Sequence, residues 1–245
     1  MKYIVFIGIL YICLSCGKKK SCFKSVGGSS TLEYVFNQDI DSLFLNDNIK
    51  YTLIPSSNPR IQLIGGENYI ALVDVVFGDK KLIVTDGNKC DFLHSYDKIG
   101  MEAKIYVDSI TYIEYKGSNS LKSNDTLASN ELRVAMREGV GDVDLIVSNS
   151  YLSAYNSYGF GNYTIRGKTQ EAFLSCASHS YCNTSDLKVA NKLVVHSNTI
   201  GNMIINANGV DLVAKILGRG NILYTGNPTS ISLDKIGIGE LIKSD

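Results

Sequence analysis

Cys176, His179 and Cys182 recur at three-residue intervals, and His196 follows 20 positions after Cys176. Thiolates and imidazoles are the ligands zinc prefers, but zinc sites pair them in tight, matched knuckles, and this spacing fits none. The same two cysteines could instead close a corner loop as a disulfide, or pack as small apolar residues. Asp142 and Asp144 offer a second chemistry. Two residues apart on a strand, their carboxylates share a face, an arrangement open to glycosidase or lyase work. A repeating polar turn explains Asp142 without chemistry, because Asn162 and Asn202 hold the matching positions of neighbouring units. The third group is aromatic: Tyr151, Tyr155, Tyr158 and Tyr163, with Tyr112 and Tyr115 two units earlier. Tyrosines on an exposed sheet can stack on sugar rings or anchor a protein partner, and they are also common strand residues for packing alone. The chain shows no Ser-His-Asp order, no phosphate-cradling loop ahead of a helix and no HExxH stretch.

A repeat carries these groups. Gly139-Val140-Gly141, Gly159-Phe160-Gly161, Gly218-Arg219-Gly220 and Gly237-Ile238-Gly239 recur, with Thr199-Ile200-Gly201 as a variant. Gly141 to Gly161 is 20 residues, Gly161 to Gly201 is 40, and the next two steps, to Gly220 and Gly239, are 19 each. A period near 20 signals a stacked solenoid. After each second glycine comes a polar residue, Asp142, Asn162, Asn202, Asn221 or Glu240, and Cys182 reads as its counterpart in the unit without glycine. Alternating apolar residues follow, such as Val143 and Leu145 or Met203 and Ile205, the mark of a strand with one buried face. A second short run lies upstream, as at residues 132–136 and 212–216. Each unit thus holds two short strands and a glycine corner, with no room for a standard helix. This predicts an all-β parallel β-helix whose coils lie one strand spacing apart, roughly 4.8 Å. The glycines are expected to supply corner angles that residues with a Cβ avoid. Asp142, Asn162, Asn202 and Asn221 are expected to form a ladder along the axis. Because the glycine pairs precede strands, they are no dinucleotide fingerprint.

Lys and Arg together number 24, as do Asp and Glu, so no net field draws the chain to nucleic acid. Residues 1–15 have the form of a lipoprotein signal peptide: Lys2, an apolar stretch from Ile4 to Leu14 too short to span a bilayer, then Ser15 and Cys16. Cys13-Leu14-Ser15-Cys16 is similar to a bacterial lipobox, with Cys13 where Leu is usual. Cys16 is then the lipid attachment site, and its palmitate-type acyl chains hold the mature protein to a membrane. Residues 16–30 read as the lipidated N-terminus and a tether, and residues 31–245 as a single β-helix domain. Cys22, Cys90, Cys176 and Cys182 remain, an even count that permits disulfides without choosing a pairing. The polar run Lys243-Ser244-Asp245 is expected to discourage end-to-end stacking of molecules.

Further segments carry a family resemblance: Cys22-Phe23-Lys24-Ser25, Gly65-Gly66-Glu67-Asn68-Tyr69-Ile70 and Asn88-Lys89-Cys90-Asp91-Phe92-Leu93. The most specific is Gly218-Arg219-Gly220-Asn221-Ile222-Leu223-Tyr224-Thr225-Gly226-Asn227-Pro228. Together they resemble the Bacteroidetes-type family called putative auto-transporter adhesin, head GIN domain. That family's closing unit runs Gly-Ser-Gly-Asn-Ile-x-Tyr-x-Gly-x-Pro, from which this chain departs at Arg219. The resemblance covers residues 22–245 and implies a right-handed parallel β-helix, similar in shape to pectin-lyase-like folds, with no recognised catalytic residues and no cofactor. With the lipobox, the chain is expected to be an outer-membrane lipoprotein of the cell envelope, non-catalytic, that binds a glycan or an envelope protein through its solenoid faces. A polysaccharide lyase or hydrolase on the same scaffold is the alternative. Surface-exported lipoproteins of this group tend to carry acidic residues after the lipidated Cys. Here Gly17-Lys18-Lys19-Lys20 follows, which leaves both surface and periplasmic orientation open.

Overall fold

The computed structural model describes residues 25–88 and 100–244. Cys16, Cys22 and Cys90 lie outside them. Among the described residues nineteen strands, β1 to β19 in chain order, join in one hydrogen-bonded sheet that winds into a β-solenoid of about seven turns, its coils about 20 residues apart. A first side stacks β2 (Ser42–Asp47), β8 (Tyr112–Gly117), β10 (Glu131–Arg137) and the second halves of β11 (Val143–Ser157), β12 (Tyr163–Ser178) and β14 (Leu187–Thr199). It ends with β16 (Asp211–Ile216) and β18 (Ser230–Lys235), all parallel. A second side stacks β3 (Lys50–Pro55), β9 (Leu121–Ala128), the first halves of β11 and β12, then β13 (Cys182–Thr184), β15 (Met203–Asn206), β17 (Ile222–Thr225) and β19 (Leu241–Lys243). No helix among the described residues is long and apolar enough to cross a membrane.

Apolar columns along the axis hold the coils together. On the first side Leu43, Ile113, Val134, Ala154, Leu174, Val195 and Ala214 stand in register, and all are buried. Each larger member contributes roughly 1.5–3 kcal/mol through burial. The next member, Leu233 on β18, is 46% exposed because no further described coil lies beyond it.

At the other end the stacking order departs from the chain order. The β2–β3 coil lies between the β8–β9 coil and an outer coil made of β6 (Lys81–Asp86) and β7 (Glu102–Val107). Antiparallel strands then close the outer edges: β5 (Val73–Gly78) on β6, β4 (Arg60–Gly66) on β7, and β1 (Ser29–Val35) on β4. This pairs the outer N–H and C=O groups of β6, β7 and β4, and among the described residues the sheet edge passes to β5 and β1, each paired on one side. The run Gly65-Gly66-Glu67-Asn68-Tyr69-Ile70 ends β4 and opens a one-turn helix, α1 (Glu67–Ile70), which buries Tyr69 and Ile70 in this cap.

The glycine beat has a different cause from the one expected. None of Gly141, Gly161, Gly201, Gly220 and Gly239 has a left-handed φ. A Cβ on each would overlap a carbonyl oxygen of the preceding coil, that of Asn119, Gly141, Ser180, Gly201 and Gly220 respectively. Close approach between coils, not backbone angle, excludes a side chain there. The left-handed corner positions belong instead to Glu138, Tyr158 and Ser178, with φ of 57°, 59° and 64°.

Candidate functional site

Register aligns Val143, Tyr163, Cys182, Met203, Ile222 and Leu241 on the second side. The residues just before them form the outward polar line: Asp142, Asn162, Tyr181, Asn202, Asn221 and Glu240. Tyr181 therefore holds the place read for Cys182, Ser180 stands for the glycine, and the Cys182 side chain points inward. Asp142 Oδ1 accepts the N–H of Asn162 at 3.0 Å, and Asn162 Oδ1 accepts that of Tyr181 at 2.8 Å. Asn202 Oδ1 then accepts the N–H of Asn221 at 3.1 Å, and Asn221 Oδ1 that of Glu240 at 2.9 Å. The ladder thus runs from each side-chain oxygen to the next coil's backbone. A side chain–side chain hydrogen bond joins it once, donated by Asn162 Nδ2 to Asp142 Oδ1.

The candidate zinc set does not assemble. Cys176 and Cys182 are buried and joined as a disulfide, so their sulfurs are not free to ligate. His179 packs on Phe160 with ring centroids 5.4 Å apart, whereas His196 lies edge-on to Phe173 at 5.0 Å on the outer face of the first side. Among the described residues no group of three or more His, Cys, Asp and Glu is placed to hold a metal ion. The Asp142 and Asp144 carboxylates do share a face, but each has a structural partner. Asp142 serves the ladder, and Asp144 Oδ1 lies 3.0 Å from Arg166 Nη2, an ion pair by distance though not aligned as a hydrogen bond.

The four tyrosines separate. Tyr163 points into the core, 1% exposed, with its hydroxyl donating to the Ser175 carbonyl at 3.3 Å, so its ring is not available to an external ligand. Burial raises its pKa. Tyr151 and Tyr155 lie on the outer face of β11, four residues apart, and Tyr158 is 84% exposed at the corner beyond. Tyr115, noted with them, is also a core residue, edge-on to Tyr51.

Stacking brings to Tyr155 residues that no local pattern links to it. An open groove of about 430 Å³ runs over Tyr155, Tyr158, Phe173, Ser175, His196 and Asn198, contributed by the consecutive coils of β11, β12 and β14. On the preceding coils, Arg137 Nη2 reaches the Tyr155 hydroxyl at 3.5 Å and Arg137 Nε lies 3.6 Å from Glu114. Glu114 also accepts the Tyr112 hydroxyl at 3.0 Å. Burial first, then the bond to Glu114, pushes the Tyr112 pKa up to about 12. Burial, followed by the Lys215 ammonium beside it, lowers the His196 pKa, so that ring is neutral near pH 7. The alternation in residues 171–177 and 192–198 announces outward positions for Phe173 and His196, but their meeting with Tyr155 depends on register.

These features define a β-solenoid whose walls carry the candidate recognition groups. Residues 39–228 match the family described as putative auto-transporter adhesin, head GIN domain, and the chain belongs to that family. Among solved structures it is similar to a putative adhesin from Bacteroides fragilis, at 23% identity and TM-score 0.80, covering 89% of this chain and 97% of that one. A putative adhesin from Parabacteroides merdae shares 19% identity with TM-score 0.64, covering 94% of this chain and 98% of that one. A putative lipid binding protein from Parabacteroides distasonis shares 17% identity with TM-score 0.65, covering 89% and 98%. At these identities the likeness speaks for the fold. No curated protein matches the chain.

Proposed function

We propose that this protein is an envelope-anchored, non-catalytic binding module that holds a saccharide across the outer face of the first side. The observation that carries this reading is the groove in which Tyr155, Phe173 and His196 meet from three consecutive coils. Ring faces suit the apolar face of a sugar, and the Ser175 and Asn198 side chains beside them suit its hydroxyls. The family's adhesin description supports a binding role. The lipobox ending at Cys16 supports anchoring to the outer membrane by two or more acyl chains. Polysaccharide cleavage by Asp142 and Asp144 would require carboxylates released from their present partners.

A glycan array probed with the full chain in detergent tests the proposal. Saccharide binding is expected, weakened at least tenfold by Tyr155→Ala and by Phe173→Ala with the circular dichroism spectrum unchanged. Binding that survives both substitutions, or cleavage of a bound polysaccharide, rejects it. Mass spectrometry of the native protein should find an acylated Cys16 at the N-terminus. An unlipidated peptide starting at Gly17 or later rejects the anchor.

A further inference from the structure

A second hollow, of about 540 Å³, lies at the opposite edge of the first side, where the chain turns into the second halves of β11, β12 and β14. Its lining is mostly hydroxyl and amide: Ser129, Ser148, Asn149, Ser150, Thr169 and Gln170. Two facts set it apart from an ordinary solvated corner. First, Asn149 Nδ2, Asn149 Oδ1 and Ser129 Oγ are buried, yet none has a hydrogen-bond partner in the protein. Buried amide and hydroxyl groups without partners are costly, and native proteins rarely leave them so. Thr169, which pairs with Asn149 from the next coil, is satisfied by the Glu171 carbonyl at 2.9 Å, so the groups without partners at this corner are those of Ser129 and Asn149. Second, Lys168 and Lys188 stand in register on adjacent coils at its lip, roughly one strand spacing of 4.8 Å apart. Like charges directly opposite across a ladder are destabilising. Neither lysine has a carboxylate within ion-pair range among the described residues. Asp186 lines the adjoining hollow beside both lysines and offsets one of the two charges, which leaves the lip cationic.

We propose that this corner binds an acidic saccharide, a sugar bearing a carboxylate or sulfate group. The anion lies between the Lys168 and Lys188 ammonium groups. The Asn149 amide, which can both donate and accept, and the Ser129 hydroxyl are closed to solvent in the unliganded fold, and they turn outward to meet the ring hydroxyls. Polar side chains predominate in the lining, Val189 and Ala190 being its apolar members, which suits a hydroxyl-rich ligand better than an acyl chain. The site shares no lining residue with the aromatic groove, so it stands or falls independently of that groove's assignment.

Calorimetric titration of the full chain in detergent decides the matter, with four probes: a uronic-acid disaccharide, a sulfated disaccharide, the neutral disaccharide of the same linkage, and sodium sulfate. At least one acidic disaccharide is expected to bind tenfold or more tighter than the neutral one, and less tightly as salt is raised. The double substitution Lys168→Gln with Lys188→Gln should remove that preference, whereas Lys168→Arg with Lys188→Arg should retain it. Asn149→Leu should weaken binding at least tenfold. If that variant does not fold, the surface lysine pair carries the test, because those exposed side chains support no packing. Tyr155→Ala should leave this binding unchanged, which separates it from the aromatic groove. Sulfate alone binding as tightly as the sugars would show an anion site without sugar recognition and overturn the proposal. Equal affinity for neutral and acidic sugars, indifference to the lysine exchange, or no binding at millimolar concentration would also overturn it.

Discussion

Asn202 Oδ1 accepts the backbone N–H of Asn221 from a distance of 3.1 Å, one coil further along the axis. The bond holds a corner donor that lies outside the strand ladders, and the same geometry recurs from Asn221 to Glu240. Replacing Asn202 by Ala should therefore destabilise the domain by about 1 kcal/mol, the usual net value of such a bond. Urea denaturation measures it. Tyr181→Ala removes no such oxygen and should shift the midpoint much less. Equal losses for the two would mean that the ladder contributes nothing measurable.

The glycine corners discriminate sterics from backbone angle. Gly220 has an ordinary φ, but a Cβ there would overlap the Gly201 carbonyl oxygen. Gly209 has φ +75° with nothing within 4 Å of its would-be Cβ. Gly220→Ala should cost about 3 kcal/mol, toward the upper end for forced overpacking, or prevent folding. Gly209→Ala should cost only about 1 kcal/mol, the penalty of a left-handed L-residue. Thermal melts of the two variants compare them directly, and the reverse order would refute the close-approach account.

The Cys176–Cys182 disulfide closes a short loop of sequence separation six, in the coil that lacks glycine at its corner. Its effect on the unfolded chain should be correspondingly modest, about 2 kcal/mol. The double exchange Cys176→Ser with Cys182→Ser is expected to lower the denaturation midpoint by that amount and leave the strand signature of the circular dichroism spectrum intact. Loss of the spectrum would show that the bond is required for folding itself.

Alkaline stability should decline steeply. Burial raises the pKa of Tyr51, Tyr115 and Tyr163 above the ordinary value of 10.0. Below pH 10 these phenols are neutral in both folded and unfolded chains, so their contribution is fully present. As pH rises above 10 the unfolded chain loses protons that the folded chain retains, and folding weakens by about 1.4 kcal/mol per pH unit for each group. Melting temperature measured from pH 8 to 11 should be flat and then fall. Tyr163→Phe should soften the fall, and an unchanged slope in that variant would count against the assignment.

The end coil should be the least protected. Among the described residues β18 and β19 pair on one edge only, with β16 and β17, and Ile231 and Leu233 of β18 are 47% and 46% exposed. Amide hydrogen exchange in β18 is expected to be about a hundredfold faster than in the second halves of β12 and β14, which lie mid-stack. Comparable protection would imply that another surface covers this face.

Much of this architecture is legible in the chain because a solenoid repeats a local rule. Each coil needs inward apolar residues, outward polar ones and a narrow corner, so the period, the strand pairs and the ladder line through Asp142, Asn162, Asn202 and Asn221 can be read without coordinates. The stacking contacts themselves join residues about 20 apart, and coil lengths vary by a residue or two. Local pattern therefore cannot set register where the glycine is missing, which is why Tyr181 and not Cys182 stands on the ladder. The same non-local packing decided that Tyr163 faces the core, that a neighbouring carbonyl excludes any side chain at the glycines and that β2–β3 sits out of chain order. It also brought Phe173 and His196 to Tyr155, and left Asn149 orphaned at the hollow that Lys168 and Lys188 line. What the amino acids dictated alone is the repeating alternation, set by neighbours two residues apart. What required the folded molecule is every relation between coils, because backbone hydrogen bonding accepts any side chain and only packing across the stack chooses which residues meet.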